Sequence, residues 1–141
     1  MSSSPNAAPG GSVSDYVLDA SAILAALNGE PGGELVLEAG PASQISSVNL
    51  GEVYSTLLDA GMPFEHVKRV MARLDFRVSD FGPVHAARVG QLRPLTRKFG
   101  ASLGDRACLA QGQISGLTIL SSDQRMGEAA TTLGIDIRMI R

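Results

Sequence analysis

The sequence predicts an α/β domain with a central parallel sheet of about four to five strands and helices on both faces. Three observations predict it. Short apolar segments alternate along the chain with longer ones whose apolar residues fall at helical spacing. Two of the short segments, "YVLD" at 16–19 and "LTILSS" at 117–122, are apolar runs rather than alternating ones, as strands buried on both faces require. Glycines close the helical segments, at 29, 40, 61, 116 and 134.

The elements follow in order. Residues 1–14, "MSSSPNAAPGGSVS", are polar and rich in Ser, Pro and Gly, so a flexible tail is expected ahead of a single domain at 15–141. The tail lacks the basic and apolar regions of a secretory signal. Tyr16, Val17 and Leu18 favour a buried strand that stops on Asp19. "SAILAALNG" (21–29) and "PGGELVLEAG" (31–40) read as helices, followed by the strand "SQISS" (43–47). "NLGEVYSTLLDAG" (49–61) carries Leu50, Val53, Leu57 and Leu58 on one stripe, and "MPFEHVKRVMARL" (62–74) starts with Pro63 near its first turn. "DFRVSDF" (75–81) is a strand candidate. "GPVHAARVGQLRPLTRKFG" (82–100) is a long helix in which Pro94 predicts a kink or break. "SLGDRACLAQGQISG" (102–116) leads into the strand at 117–122, and "DQRMGEAATTLG" (123–134) leads into "IDIRMI" (135–140).

The bulk properties exclude several classes. A chain of 141 residues buries roughly 68–70% of its unfolded surface, so no disulfide or metal is needed merely to hold it together. The net charge of −2 offers no general attraction to nucleic acid or anionic lipid. A polyanion must therefore be held locally, by a basic patch or a bound cation. Cys108 is the only cysteine, which removes a disulfide framework and a cysteine zinc site within the chain and fits a reducing cytoplasm. No apolar run approaches the roughly 18 residues that span a bilayer, so no membrane association is expected. No G-x-x-x-x-G-K-[ST] loop appears, which disfavours a P-loop enzyme. A phosphoacceptor domain wants an acidic pair near the N-terminus and a Lys after a late strand, and "LSSDQ" supplies no Lys.

In an open parallel sheet, functional groups gather beyond the carboxyl ends of the strands. Asp19 stands there after the first strand, and Glu52 follows the second by five residues, early in the next helix. The helix from Asp105 to Ser115 covers about 15 Å at 1.5 Å per residue. The strand that returns from 117 to 121 covers about the same at 3.3 Å per residue. Asp123 should therefore arrive beside the level of Asp105. Four acids distant in sequence then converge at one edge. Clustered carboxylates repel unless a cation joins them, and an all-oxygen donor set suits Mg²⁺ or Mn²⁺. Such a site can hold a water as nucleophile and stabilise a phosphoryl group.

On these residues the sequence resembles the PIN-domain nucleases, and most of all the VapC-type toxins of bacterial toxin–antitoxin pairs. The resemblance covers nearly everything after residue 15. "VLDASAILAALNGEPGGELV" (17–36) resembles the family's opening with Asp19 as first acid, and "ISSVNLGEV" (45–53) the second block with Glu52. "FGASLGDRACLAQG" (99–112) resembles the third with Asp105, and "LTILSSDQRM" (117–126) the fourth with Asp123. It implies a PIN-like three-layer sandwich and a Mg²⁺- or Mn²⁺-dependent endoribonuclease acting on RNA. It also implies a cognate antitoxin protein and a homodimer. Asp19 and Asp105 would be the most direct metal ligands, with Glu52 and Asp123 completing the site directly or through water. The last block departs from the family, which often has Thr before its acid and an aromatic after it. Here Ser121 and Ser122 precede Asp123 and Met126 follows. The competing reading is a catalytically silent RNA- or protein-binding module on the same fold.

Each acid also has a plain structural use. Asp19 and Asp123 could cap the helices they precede, Asp105 suits the start of a helix, and Glu52 could be a solvated helix residue. Ser21 is placed to support Asp19 by a hydrogen bond. Asn49 either faces the same pocket or caps the helix of Glu52. Arg88, Arg93, Arg97, Lys98 and Arg106 form the main basic concentration, with Arg106, beside Asp105, the best placed for RNA. His66 and His85 lack ligand spacing, and Cys108 reads as core. "ILAALNGEPGGELVLEA" reads as core packing or, by the resemblance, as part of the antitoxin groove.

Overall fold

The computed structural model describes residues 14–141, so the expected tail, Ser14 apart, lies outside the described residues. β1 (Tyr16–Leu18), β2 (Ser43–Ser46), β3 (Arg77–Ser79), β4 (Thr118–Ser121) and β5 (Ile137–Met139) form one sheet in the order β3-β2-β1-β4-β5. Every pairing is parallel, with Tyr16 opposite both Ser43 and Thr118. The helices are α1 (Ala20–Leu27), α2 (Gly33–Ala39), α3 (Ser47–Asp59), α4 (Phe64–Leu74), α5 (Pro83–Thr96), α6 (Leu103–Ser115) and α7 (Gln124–Thr132). Two 3-10 turns, Gly40–Ala42 and Arg97–Phe99, extend α2 and α5.

Strand alternation divides the core in two. Leu18, Ile45 and Leu120 point into a cluster built with α1 to α4 through Ile23, Val36, Val53 and Val67. Val17 and Ile119 point the other way, into a cluster built with α5 to α7 through Leu92, Leu109 and Ala130. The expected three-layer sandwich is thus the observed one.

Two local expectations change. Pro94 does not break α5; the helix runs on to Thr96, whose hydroxyl donates to Leu92 O at 2.8 Å. Pro94 and Gly90, the residue whose carbonyl loses its partner, both face solvent, so the missing hydrogen bond lies on the exposed side of the helix. Gly40 caps α2 as expected, with φ −46, and leads on into a 3-10 turn. The strand candidates at 75–81 and 135–140 shrink to three residues each, Arg77–Ser79 and Ile137–Met139, the two edges of the sheet.

The chain lays β2 and β3 to one side of β1 and then returns to place β4 on the other. The order therefore reverses between β1 and β4, and a crevice opens beyond their carboxyl ends. α3 starts at that edge, directly after β2. α6 precedes β4 and runs against it, so its first turn starts there too.

Candidate functional site

Asp19 follows β1 at this crevice, is 5% exposed, and is the N-cap of α1. Its Oδ1 accepts from Ala22 N at 2.8 Å and from Ser21 Oγ at 2.7 Å. Its Oδ2 accepts from Ser121 Oγ at the end of β4. Ser121 Oγ in turn accepts from Asp123 N at 3.0 Å, and Ser21 Oγ accepts from Ser122 N at 3.0 Å. Two serine hydroxyls thus stitch the β1 and β4 ends together. Ser121, one of the two serines ahead of Asp123, orients the first acid.

The other acids are also held by backbone. Asp123 caps α7, its Oδ1 accepting from Arg125 N at 2.9 Å. Asp105 forms a reciprocal capping box with Ser102: Asp105 Oδ2 accepts from Ser102 N at 2.9 Å, and Asp105 N donates to Ser102 Oγ at 3.1 Å. Glu52 Oε1 accepts from Asn49 Nδ2 at 2.9 Å, and the same amide donates to Gly104 O at 2.9 Å. Both partners are acceptors, which fixes the amide's orientation. Asn49 Oδ1 is then left buried without a partner. Capping and site-building coincide here, because a cap places a carboxylate at a helix start and these helix starts share one edge.

A cavity of about 200 Å³ is lined by all four acids together with Ser21, Leu24, Asn49, Gly104 and Cys108. Among the described residues the ion pairs are Lys68–Glu65 and Arg141–Glu30, so none neutralises these acids. Burial raises the Asp19 carboxyl to about 6, against the lowering effect of Ser121, Ser21 and Ala22 N, and the charge of Asp123 adds to the rise. The fully buried Cys108 thiol is pushed well up by burial first and then by Asp19, Asp105 and Glu52. No described ion pair offsets the charge of the acids that line this cavity.

The donor set fits a hard divalent cation: carboxylate oxygens, hydroxyls and a free amide oxygen. Asp19 spends three of roughly four acceptor positions on hydrogen bonds, which leaves a lone pair for the cavity. Among the described residues no three acid, His or Cys side chains close into a finished ligand cluster, since Asp105, Asp123 and Glu52 are drawn toward their own caps and clamp.

The remaining candidates scatter. Arg106 does not line the cavity; its Nη1 donates to Val89 O at 3.0 Å, tying α6 to α5. Arg88 makes a second such tie through Gln113 at 3.0 Å. Arg93, Arg97 and Lys98 stay exposed. His66 is exposed, and His85 Nδ1 accepts from Gly82 N at the start of α5. Cys108 is core, as expected, and also part of the cavity wall. Sequence reasoning missed Gly104. A Cβ there would collide with the Glu52 carboxylate, so glycine at this position lets α3 and α6 bring their acids together. Its place directly before Asp105 was the available signal.

Comparison with known proteins agrees with this fold. A family model described as PIN domain matches residues 16–131. No curated protein matches the sequence significantly. Among solved structures, the DNA-bound VapBC of Salmonella typhimurium aligns with a TM-score of 0.71 and 20% identity, covering 92% of this chain and 100% of that one. FitAcB from Neisseria gonorrhoeae aligns at 0.64 and 19%, covering 86% and 95%. A toxin–antitoxin complex from Klebsiella pneumoniae aligns at 0.62 and 19%, covering 77% and 87%. At these identities the likeness is one of fold.

Proposed function

We propose, since this chain belongs to the PIN-domain family, that it is a Mg²⁺- or Mn²⁺-dependent endoribonuclease and the toxin of a type II toxin–antitoxin pair. The observation that carries the reading is the meeting of Asp19, Glu52, Asp105 and Asp123, from four separate segments, around one cavity with no neutralising cation among the described residues. A bound Mg²⁺ or Mn²⁺ would supply charge for the phosphoryl group and a hydroxide-like water at neutral pH. Asp19 and Asp105 would be its nearest ligands. Glu52, clamped by Asn49, and Asp123, at the start of α7, would orient the attacking water by accepting its hydrogen bonds. Attack by water leaves 5′-phosphate and 3′-hydroxyl ends.

The partners follow from the same reading. Solved structures with this fold include complexes titled as toxin–antitoxin and VapBC assemblies, which supports an antitoxin that covers the site until released. A homodimer in the cytoplasm completes the proposal. Among the described residues no helix is long and apolar enough to cross a membrane. The competing reading, a silent binding module, draws on the use of Asp19, Asp105 and Asp123 as caps.

Cleavage of a cellular RNA pool separates the two. Purified chain should give discrete fragments with Mg²⁺ or Mn²⁺ and none with EDTA, and Asp105→Asn should lose them by at least about 100-fold, the scale of removing a metal-site ligand. Equal cleavage by the variant, or fragments ending in 2′,3′-cyclic phosphate, would refute the mechanism.

A further inference from the structure

We infer that the exposed surface made by the 3-10 turn Arg97–Phe99 and the outer face of α7 is the track on which single-stranded RNA approaches the acid cavity, its phosphates on Arg97, Lys98 and Arg125 and one base on Phe99. The identity of the polyanion rests on the nuclease reading above; the surface itself rests on separate observations.

The acid cavity repels a phosphodiester strand, and the chain carries a net charge of −2, so local cations are required to bring the strand in. Arg97, Lys98 and Arg125 are exposed, and none forms an ion pair with a carboxylate among the described residues. Their position is specific. The 97–99 turn leads through Gly100 into Ser102 and the α6 start that carries Asp105, while Arg125 lies two residues after Asp123. The turn and α7 pack on each other, and Arg125 Nη1 lies 3.3 Å from where a Cβ on Gly100 would be. Free cations therefore stand on the two segments that deliver two of the acids. Arg125 also sits in the first turn of α7, where the helix dipole disfavours a cation; a phosphate shared by the two would relieve that conflict.

Beside these cations runs an open groove of about 550 Å³ lined by Phe99, Gln124, Gly127, Glu128, Thr131 and Thr132. The α7 residues recur at three and four, so they form one stripe, about 12 Å long at 1.5 Å per residue. Phe99 is partly buried against the α5–α7 core, and Lys98 Nζ lies over its ring at 5.2 Å from the centroid, so a visitor to the ring must take the place of Lys98. A base can stack there while Lys98 swings to a phosphate. Gln124 offers a donor and an acceptor to the base edge, and Thr131 a hydroxyl.

The test is fluorescence anisotropy with a short fluorescein-labelled single-stranded RNA of mixed sequence, across a range of salt. The parent is the full chain carrying Asp105→Asn, which binds without cutting. R97Q/K98Q/R125Q should weaken binding at least about tenfold and flatten the log Kd against log salt slope by about 2, at 0.7 per contact. Phe99→Leu should weaken binding about fivefold or more without changing the slope. R69Q/R73Q, on α4, should leave both unchanged. Parent-like affinity in the triple variant, or equal loss in the α4 control, would overturn the track. Parent-like affinity in Phe99→Leu would overturn its base subsite. Tighter binding of a poly-glutamate probe than of RNA would reassign the surface to an acidic protein. Cleavage with native Asp105 keeps the two readings apart. If the native chain cuts RNA and the triple variant cuts it at equal kcat/KM, the track falls and the nuclease stands. If the native chain cuts nothing while the triple variant still loses RNA binding, the track stands and the nuclease falls.

Discussion

Asp19 accepts three hydrogen bonds and still titrates at about 6 instead of its usual 3.8, because burial outweighs them. Between those values the folded chain holds a proton that the unfolded chain has released, so stability falls as pH rises through that window. Above it the buried charge costs roughly 3 kcal/mol in the metal-free protein. Asp19→Asn should therefore stabilise the chain by about 1–3 kcal/mol at pH 7.5 in EDTA, with the gap closing by pH 4, as read by urea denaturation at both. A destabilised variant at pH 7.5 would contradict this. Ser121→Ala removes a donor to the charged form of Asp19 and the acceptor of Asp123 N. Denaturation should show a loss of about 1–3 kcal/mol, and the Asp19 titration should move further up. At this scale the acids and the supporting role of Ser21 were legible from residue type and position. The hydrogen bond from Asn49 to Glu52 is local, three residues on, but the one to Gly104 was not legible, because it joins residues 55 apart and depends on how α3 meets α6.

The elements set where the acids can stand. α6 brings Asp105 to the edge through a Ser102 cap, ends at Gly116 with φ 72, and presents Gly104 to Glu52. Gly104→Ala pits a helix-propensity gain of about 1 kcal/mol against a collision that must displace Glu52. Because the collision is with the far end of a flexible side chain, stability should change by less than about 1 kcal/mol, while cleavage should fall at least tenfold, in line with a misplaced catalytic group. Thermal melts and initial rates on one preparation would check both. α5 offers the opposite case. Pro94 and Gly90 face solvent inside a helix, and a Cβ at Gly90 meets nothing within 4 Å. Pro94→Ala should raise stability by about 1–3 kcal/mol and Gly90→Ala by about 0.5–1 kcal/mol, with cleavage unchanged. Helices were legible because their apolar stripes and closing glycines are local. The edge strands were overextended because Phe76 belongs to the core cluster rather than to a ladder, and hydrophobicity alone does not tell these apart.

At the scale of the molecule, the site is a product of topology. β1 and β4 are about a hundred residues apart in sequence, yet Tyr16, Val17 and Leu18 lie opposite Thr118, Ile119 and Leu120. That pairing opens the crevice into which Asp19 and Asp123 fall. The layer architecture was legible because apolar strands demand cover on both faces. The strand order was not, since no local pattern records which strand β4 joins. The central claim is that the four acids form one cation site. Mn²⁺ titration followed by electron paramagnetic resonance tests it without needing an RNA target. The native chain should remove free-ion signal with saturable stoichiometry, and Asp19→Asn and Asp105→Asn should each weaken that binding at least about tenfold while remaining folded. Equal Mn²⁺ affinity in the native chain and both folded variants would contradict the claim and leave Asp19 and Asp105 as helix caps.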